Sequence, residues 1–191
     1  MTEVRALRDL PWNWGSTDGI EREDDGTQRR LAARAVESTA APEALFLWLC
    51  QLRRAPYSYD WLDNLGRRSP RIPDPSLTVL RTGQRVMTIF TLIGFEPNRS
   101  LTIRMRPGWP TRTFGSITVR YAIVPADSDR TVLRGDLRMP PIGSGLGRPR
   151  RYLLAWGDLL MMRKQLRTLR MLAEQTPAPA CASGAPNDGG R

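Results

Sequence analysis

The segment from Ala41 to Gly66, APEALFLWLCQLRRAPYSYDWLDNLG, constrains the fold more than any other part of this 191-residue chain, because it reads as two short helices in succession. Pro42 suits a first helical turn, where no backbone N–H is needed and the ring presets φ. Leu45, Trp48, Leu49 and Leu52 then recur at three- and four-residue spacing, which predicts one apolar face over Pro42 to Leu52, while Glu43, Gln51 and Arg53 point elsewhere. Ala55-Pro56 breaks the pattern. Tyr57, Tyr59, Trp61, Leu62 and Leu65 suggest a second, aromatic-rich helix, with Ser58 as N-cap and Gly66 as its stop.

Around this pair the chain alternates as strands do. Arg30 to Glu37 reads as a first strand with weakly distinguished faces. After the proline-rich stretch SPRIPDPS, Leu77 to Leu80 reads as a short strand before the turn Thr82-Gly83-Gln84. Val86 to Phe95 is apolar on both faces, which predicts a strand buried on both. Leu101 to Arg106 places Leu101, Ile103 and Met105 inward; Phe114 to Val124 places Ile117, Val119, Tyr121 and Ile123 inward; Thr131 to Met139 places Leu133, Leu137 and Met139 inward and Val132, Arg134, Asp136 and Arg138 outward. Turn residues at Pro97-Asn98 and Asp127-Ser128-Asp129 predict hairpins. From Arg150 to Glu174 the stripe Tyr152, Ala155, Leu159, Met162, Leu166, Leu169 and Ala173 predicts one long amphipathic helix.

In this order, a strand, "APE…WLCQL", "YSYDWLDNLG", further strands and a long C-terminal helix, the chain from Arg29 to Glu174 resembles bacterial, actinobacterial-looking members of the SRPBCC superfamily, also called START-like or polyketide-cyclase-like. The resemblance implies an α+β helix-grip fold: a curved antiparallel β-sheet wrapped around a long C-terminal helix, with two short helices after the first strand. Three units are expected: an N-terminal arm over 1–28 packing on the domain through Trp12 and Trp14, a helix-grip domain over 29–175, and a disordered tail over 176–191, rich in Pro, Ala, Gly and Ser.

Composition removes several kinds of chemistry. Histidine is absent from the sequence, so neither a Ser-His-Asp nor a Cys-His arrangement can be built. The two cysteines, Cys50 and Cys181, show no metal-ligand spacing and form no disulfide framework, and neither a metal nor a cofactor is expected. The net charge of +10 invites a nucleic-acid reading. Yet Lys164 is the only lysine, as a GC-rich genome would produce, and no nucleic-acid reader motif is present, so no specific nucleic-acid partner is expected. GSGLGRPRR, at 143–151, matches no phosphate-loop spacing and reads as a flexible gate before the helix. No apolar run has the length of a membrane span and the start lacks a signal-peptide core, which predicts a cytoplasmic protein.

A sheet wrapped around one helix can leave a space lined by both, suited to an apolar ligand. The candidate wall comprises Met87, Ile89, Phe90, Ile103, Phe114, Ile117, Val119, Tyr121, Leu137, Trp156, Leu159 and Met162; simple core packing is the alternative role for each. Tyr57, Tyr59, Asp60, Trp109, Tyr121 and Asp158 are the candidate polar groups. Asp158, beside the apolar stripe, is the candidate acid, with an ion pair to an arginine as its alternative. The expected function is binding or carriage of a hydrophobic small molecule such as a lipid, isoprenoid or polyketide-like compound. The resemblance also allows a polyketide cyclase or dehydratase relying on Asp158 and the tyrosines, and a co-chaperone-like interaction domain is the third possibility.

Overall fold

The computed structural model describes the backbone of residues 19–22, 28–58, 68–127, 129–140 and 147–176, and the side chains within 31–58, 68–112, 115–126, 129–140 and 160–176. Seven strands form one antiparallel sheet: β1 (Gly19–Arg22), β2 (Gln28–Ser38), β3 (Arg85–Val86), β4 (Phe90–Glu96), β5 (Ser100–Met105), β6 (Thr118–Asp127) and β7 (Arg130–Met139). Their order is β1-β2-β7-β6-β5-β4-β3. Strands β3 to β7 are thus a meander whose last member returns beside β2, and only the β2–β7 neighbours are distant in sequence. Among the described residues three α-helices accompany the sheet: α1 (Pro42–Cys50), the short α2 (Trp109–Phe114) and the long α3 (Gly147–Glu174).

Period two places the apolar side chains on one face. Ala32 and Val36 of β2 pair with Leu137 and Leu133 of β7, which pair in turn with Val119 and Ile123 of β6. Ile103 of β5 continues the Val119 row to Leu92 of β4, and in the row between, Tyr121 of β6 pairs with Leu101 of β5 and Leu101 with Phe95 of β4. Against this face pack Met162, Leu166, Leu169, Leu172 and Ala173 of α3, and Leu45, Trp48 and Leu49 of α1, all in one continuous core. At about 25 cal/mol per Å² of apolar surface removed from water, each fully buried leucine here contributes about 2 kcal/mol. The far end of α3 is tied down as well. Glu174 accepts hydrogen bonds from Ser38 Oγ (3.0 Å) and Thr39 N (3.2 Å), and Trp48 Nε1 donates to Thr176 Oγ1 (2.8 Å).

Several local expectations change. Leu77 to Leu80 is not a strand: Asp74 caps a 3-10 turn over Pro75–Thr78 by accepting from Ser76 N (3.0 Å) and Ser76 Oγ (2.6 Å). The run Val86 to Phe95 is not one strand either. It contains a turn at residues 87–89 that folds β3 onto β4, with Met87 at φ 49, and a β-bulge between Leu92 and Gly94. Nor is β4 buried on both faces, since Leu92 is buried whereas Ile93 is exposed. Phe114 ends α2 instead of opening β6. Gly115, at φ 83, stops that helix at a point where a Cβ would collide with the Pro140 ring. Val132, expected outside, is buried. The expected helix α1 continues as a 3-10 turn over Gln51–Arg53. Tyr57 and Ser58 form a bend, and residues 59–67, where the second short helix is expected, lie outside the described residues, as do 1–18, most of the arm, and 177–191.

Candidate functional site

The sheet, α3 and the chain leaving α1 meet at Gln165. The side chain is buried although it stands in the middle of the apolar stripe, between Met162 and Leu169. A buried amide demands partners, because each one left unmade costs about 1–3 kcal/mol. Gln165 finds them on three elements. Its Oε1 accepts a hydrogen bond from the Tyr121 hydroxyl at 2.6 Å, and its Nε2 donates to the Pro56 carbonyl at 2.5 Å. Nε2 also lies 4.0 Å from Met87 Sδ.

The backbone around this amide is unusual. Only three non-glycine residues among those described have positive φ: Tyr57 (56), Met87 (49) and Asn98 (58). Asn98 serves an ordinary hairpin turn, for which asparagine is suited. The other two flank Gln165. Tyr57 follows the accepting carbonyl, is buried, and meets Trp48 edge to face with ring centroids 5.8 Å apart. Met87 donates its N–H to Leu52 O (2.8 Å), which locks the β3–β4 turn against the end of the first helical segment. Left-handed conformations of bulky residues cost on the order of 1–3 kcal/mol, and such strain clusters at functional sites.

One row of the sheet runs beneath the amide. Arg34 of β2 pairs with Gly135 of β7, Gly135 with Tyr121 of β6, and Tyr121 with Leu101 of β5. Alternation with Ala32 and Val36 turns Arg34 toward the helix side, where it is 7% exposed. Its Nη1 donates to the Ala33 carbonyl at 2.7 Å. A guanidinium, a phenol and an amide therefore lie on the helix side of the sheet among apolar side chains.

Of the candidate wall residues, Ile103, Val119, Tyr121, Leu137 and Met162 are buried in the common core, and Tyr57 joins them. Met87, Phe90 and Ile117 pack against that core from partly buried positions. Ile89 is half-buried outside it, and its carbonyl accepts from Arg106 N at 2.8 Å. Trp109 departs from the set. It begins α2 at the surface, 64% exposed, because Pro107-Gly108 turns the chain out of β5. Tyr59 and Asp60 lie outside the described residues, as do the side chains of Phe114, Trp156, Asp158 and Leu159. Gln165 and Arg34 were missed by sequence reasoning. The signal for Gln165 was its spacing, three after Met162 and four before Leu169.

Among the described residues, reactive groups are scarce nearby. Cys50 is fully buried in the core, and burial pushes its thiol up to about 12, with the Arg53 guanidinium pulling weakly the other way. Such a thiol is a packing group, since the thiolate is the nucleophile. Asp74 is held below the usual carboxylate range by its hydrogen bonds from Ser76, first the hydroxyl and then the backbone N–H. It serves the 3-10 turn, and Gln51 clasps its backbone through Nε2 to Asp74 O and Asp74 N to Oε1, both at 3.0 Å. Among the described residues no group of three or more His, Cys, Asp or Glu side chains is placed to hold a metal ion, and no helix is long and apolar enough to cross a membrane.

A long C-terminal helix seated on the inner face of an antiparallel sheet, with short helical segments filling the space after the first long strand, decides the architecture. The fold is the helix-grip fold. No family model matches the sequence, and no curated protein does. Solved helix-grip structures do match. A structural-genomics protein of Mesorhizobium loti is 16% identical with a TM-score of 0.50, over 78% of this chain and 100% of that one. A Thermobifida fusca protein solved by NMR is 12% identical with a TM-score of 0.51, over 76% and 93%. The Zhui aromatase/cyclase from Streptomyces is 13% identical with a TM-score of 0.47, over 77% and 94%.

Proposed function

We propose that this helix-grip domain binds a hydrophobic small molecule, a lipid, isoprenoid or polyketide-like compound, between the inner sheet face and α3, and acts as its carrier in the cytoplasm. The observation that carries the reading is the Tyr121–Gln165–Pro56 bridge, a satisfied polar pair set among apolar side chains. Binding sites for small molecules combine apolar walls with a few placed polar groups, and this is that combination. Ile103, Val119, Leu137 and Met162 supply the wall, with Met87, Phe90 and Ile117 at its margin. Tyr57, Tyr121 and Gln165 orient the polar end of the ligand. Tyr59, Phe114, Trp156 and Leu159 complete the wall on the strength of their sequence positions. Asp158, one helical turn before Met162 in α3, is the group a reaction at this site would use as its acid.

Denaturing mass spectrometry of organic extracts from the purified protein tests this, together with thermal melts against a panel of apolar compounds. A ligand present at 100 times its Kd adds about 2.7 kcal/mol of stability and raises Tm accordingly. Extracts holding no apolar compound, with no panel member raising Tm, overturn the reading. An Asp158→Asn variant that still binds but loses turnover would move it toward an enzyme.

A further inference from the structure

The sheet face turned away from α3 carries a lattice of arginines. In the register, Arg85 of β3 pairs with Thr91 of β4, Thr91 with Arg104 of β5, Arg104 with Thr118 of β6, and Thr118 with Arg138 of β7. Arg120 stands in the next row, between Thr102 and Asp136. Each alternates with a core residue, so each points outward, and all four arginines are exposed. With strands about 4.8 Å apart, those in the row repeat at about 10 Å, and Arg120 lies diagonally beside both Arg104 and Arg138. Asp136, the register partner of Arg120, is engaged by Arg134 at 2.6 Å, and Arg138 has a partner of its own. No ion pair or hydrogen bond involves the side chains of Arg85, Arg104 or Arg120 among the described residues. Like charges at diagonal sites repel, so the face is relieved by an anionic partner.

We infer that this outer sheet face docks on an anionic lipid surface. The charge is spread over two dimensions and not along a line. A nucleic-acid strand, which carries its phosphates in a line, would meet one row at a time, whereas a headgroup layer meets all of them. The side chains between the arginines are threonines, which supply no aromatic plane for bases. Ile93, exposed at the bulge beside the lattice, adds an apolar group that can enter the headgroup layer. The inference stands apart from the ligand reading, since it uses the opposite face of the sheet.

Cosedimentation of the full chain with vesicles of phosphatidylcholine, with and without phosphatidylglycerol, tests it. Binding is expected only with the anionic lipid, and added salt weakens it. Replacing Arg85, Arg104 and Arg120 by Thr together is expected to lower partitioning roughly 100-fold, about 1 kcal/mol for each arginine. A control triple, Arg81→Gln, Lys164→Gln and Arg167→Gln, removes the same charge from exposed sites off this face and is expected to keep most of the binding. The triple Arg→Lys variant at 85, 104 and 120 keeps the charge and the binding, and its melt guards against misfolding. Equal loss in the two neutralised triples, equal binding to neutral vesicles, loss of binding in the folded lysine variant, or tighter binding to duplex DNA at matched phosphate overturns the inference.

Discussion

Gly135 lies directly beneath Met162: a Cβ built on the glycine would stand 3.2 Å from Met162 Sδ and 3.9 Å from Leu166 Cδ1. The bare backbone lets α3 settle onto β7 at the row that also holds Tyr121. A single methyl there meets the end of a flexible side chain, so Gly135→Ala is expected to change stability by less than about 1 kcal/mol. Gly135→Val adds two further carbons that face Leu166, and overpacking of this kind costs about 1–3 kcal/mol. Urea unfolding of the two variants checks the difference. Equal stabilities would mean that α3 is not seated on this glycine.

The Tyr121–Gln165 bond predicts coupling. Tyr121→Phe strands Gln165 Oε1, and Gln165→Leu strands the Pro56 carbonyl and removes the acceptor of the Tyr121 hydroxyl, so each single change is expected to cost about 1–3 kcal/mol. The double variant, which removes both ends of one bond, is expected to cost less than the sum by about 0.5–3 kcal/mol. A double-mutant cycle in urea measures this term, and an additive result would show that the bond contributes nothing specific.

Anchoring of the C-terminal helix rests on residues far from the wall. Glu174 receives Ser38 and Thr39, and Trp48 reaches Thr176. Glu174→Ala and Trp48→Phe are each expected to cost about 1 kcal/mol, the typical net value of a hydrogen bond. Hydrogen exchange supplies the sharper readout. Amides in the last two turns of α3 are expected to lose protection in both variants, while those of β5 and β6 keep theirs.

How far these features could be read in advance depended on the kind of signal. The strands β5, β6 and β7 were legible because Leu101, Ile103 and Met105, then Val119, Tyr121 and Ile123, then Leu133, Leu137 and Met139 alternate cleanly, and all nine are buried. Met162, Leu166, Leu169 and Ala173 were legible from helical spacing. The turn at Met87 was not, because it contains no Gly, Pro, Asn or Asp; its shape is imposed by the Leu52 carbonyl, a tertiary contact. The 3-10 turn at Pro75–Thr78 had a local signal in Asp74-Pro75, outweighed by the apolar look of Leu77, Val79 and Leu80. Gln165 was passed over because a polar residue in an apolar stripe reads as a gap in the pattern. Its partners, Tyr121 and Pro56, are 44 and 109 residues away, so no window of sequence contains them.

The buried thiol of Cys50 predicts an alkaline limit to stability. An unfolded thiol ionises near 9.0, whereas in the fold burial pushes it up to about 12. The raised group favours the native state fully below pH 9, and that contribution is lost as pH rises toward 12, because the unfolded chain releases a proton that the folded one retains. Within that window wild-type stability is expected to fall by up to about 1.4 kcal/mol per pH unit more steeply than that of a Cys50→Ala variant, which has no proton to lose. Urea midpoints taken at several pH values between neutrality and pH 10.5 measure the two slopes. Parallel slopes would mean that Cys50 is not desolvated in solution, and rapid labelling of Cys50 by iodoacetamide in the native state would say the same by an independent route.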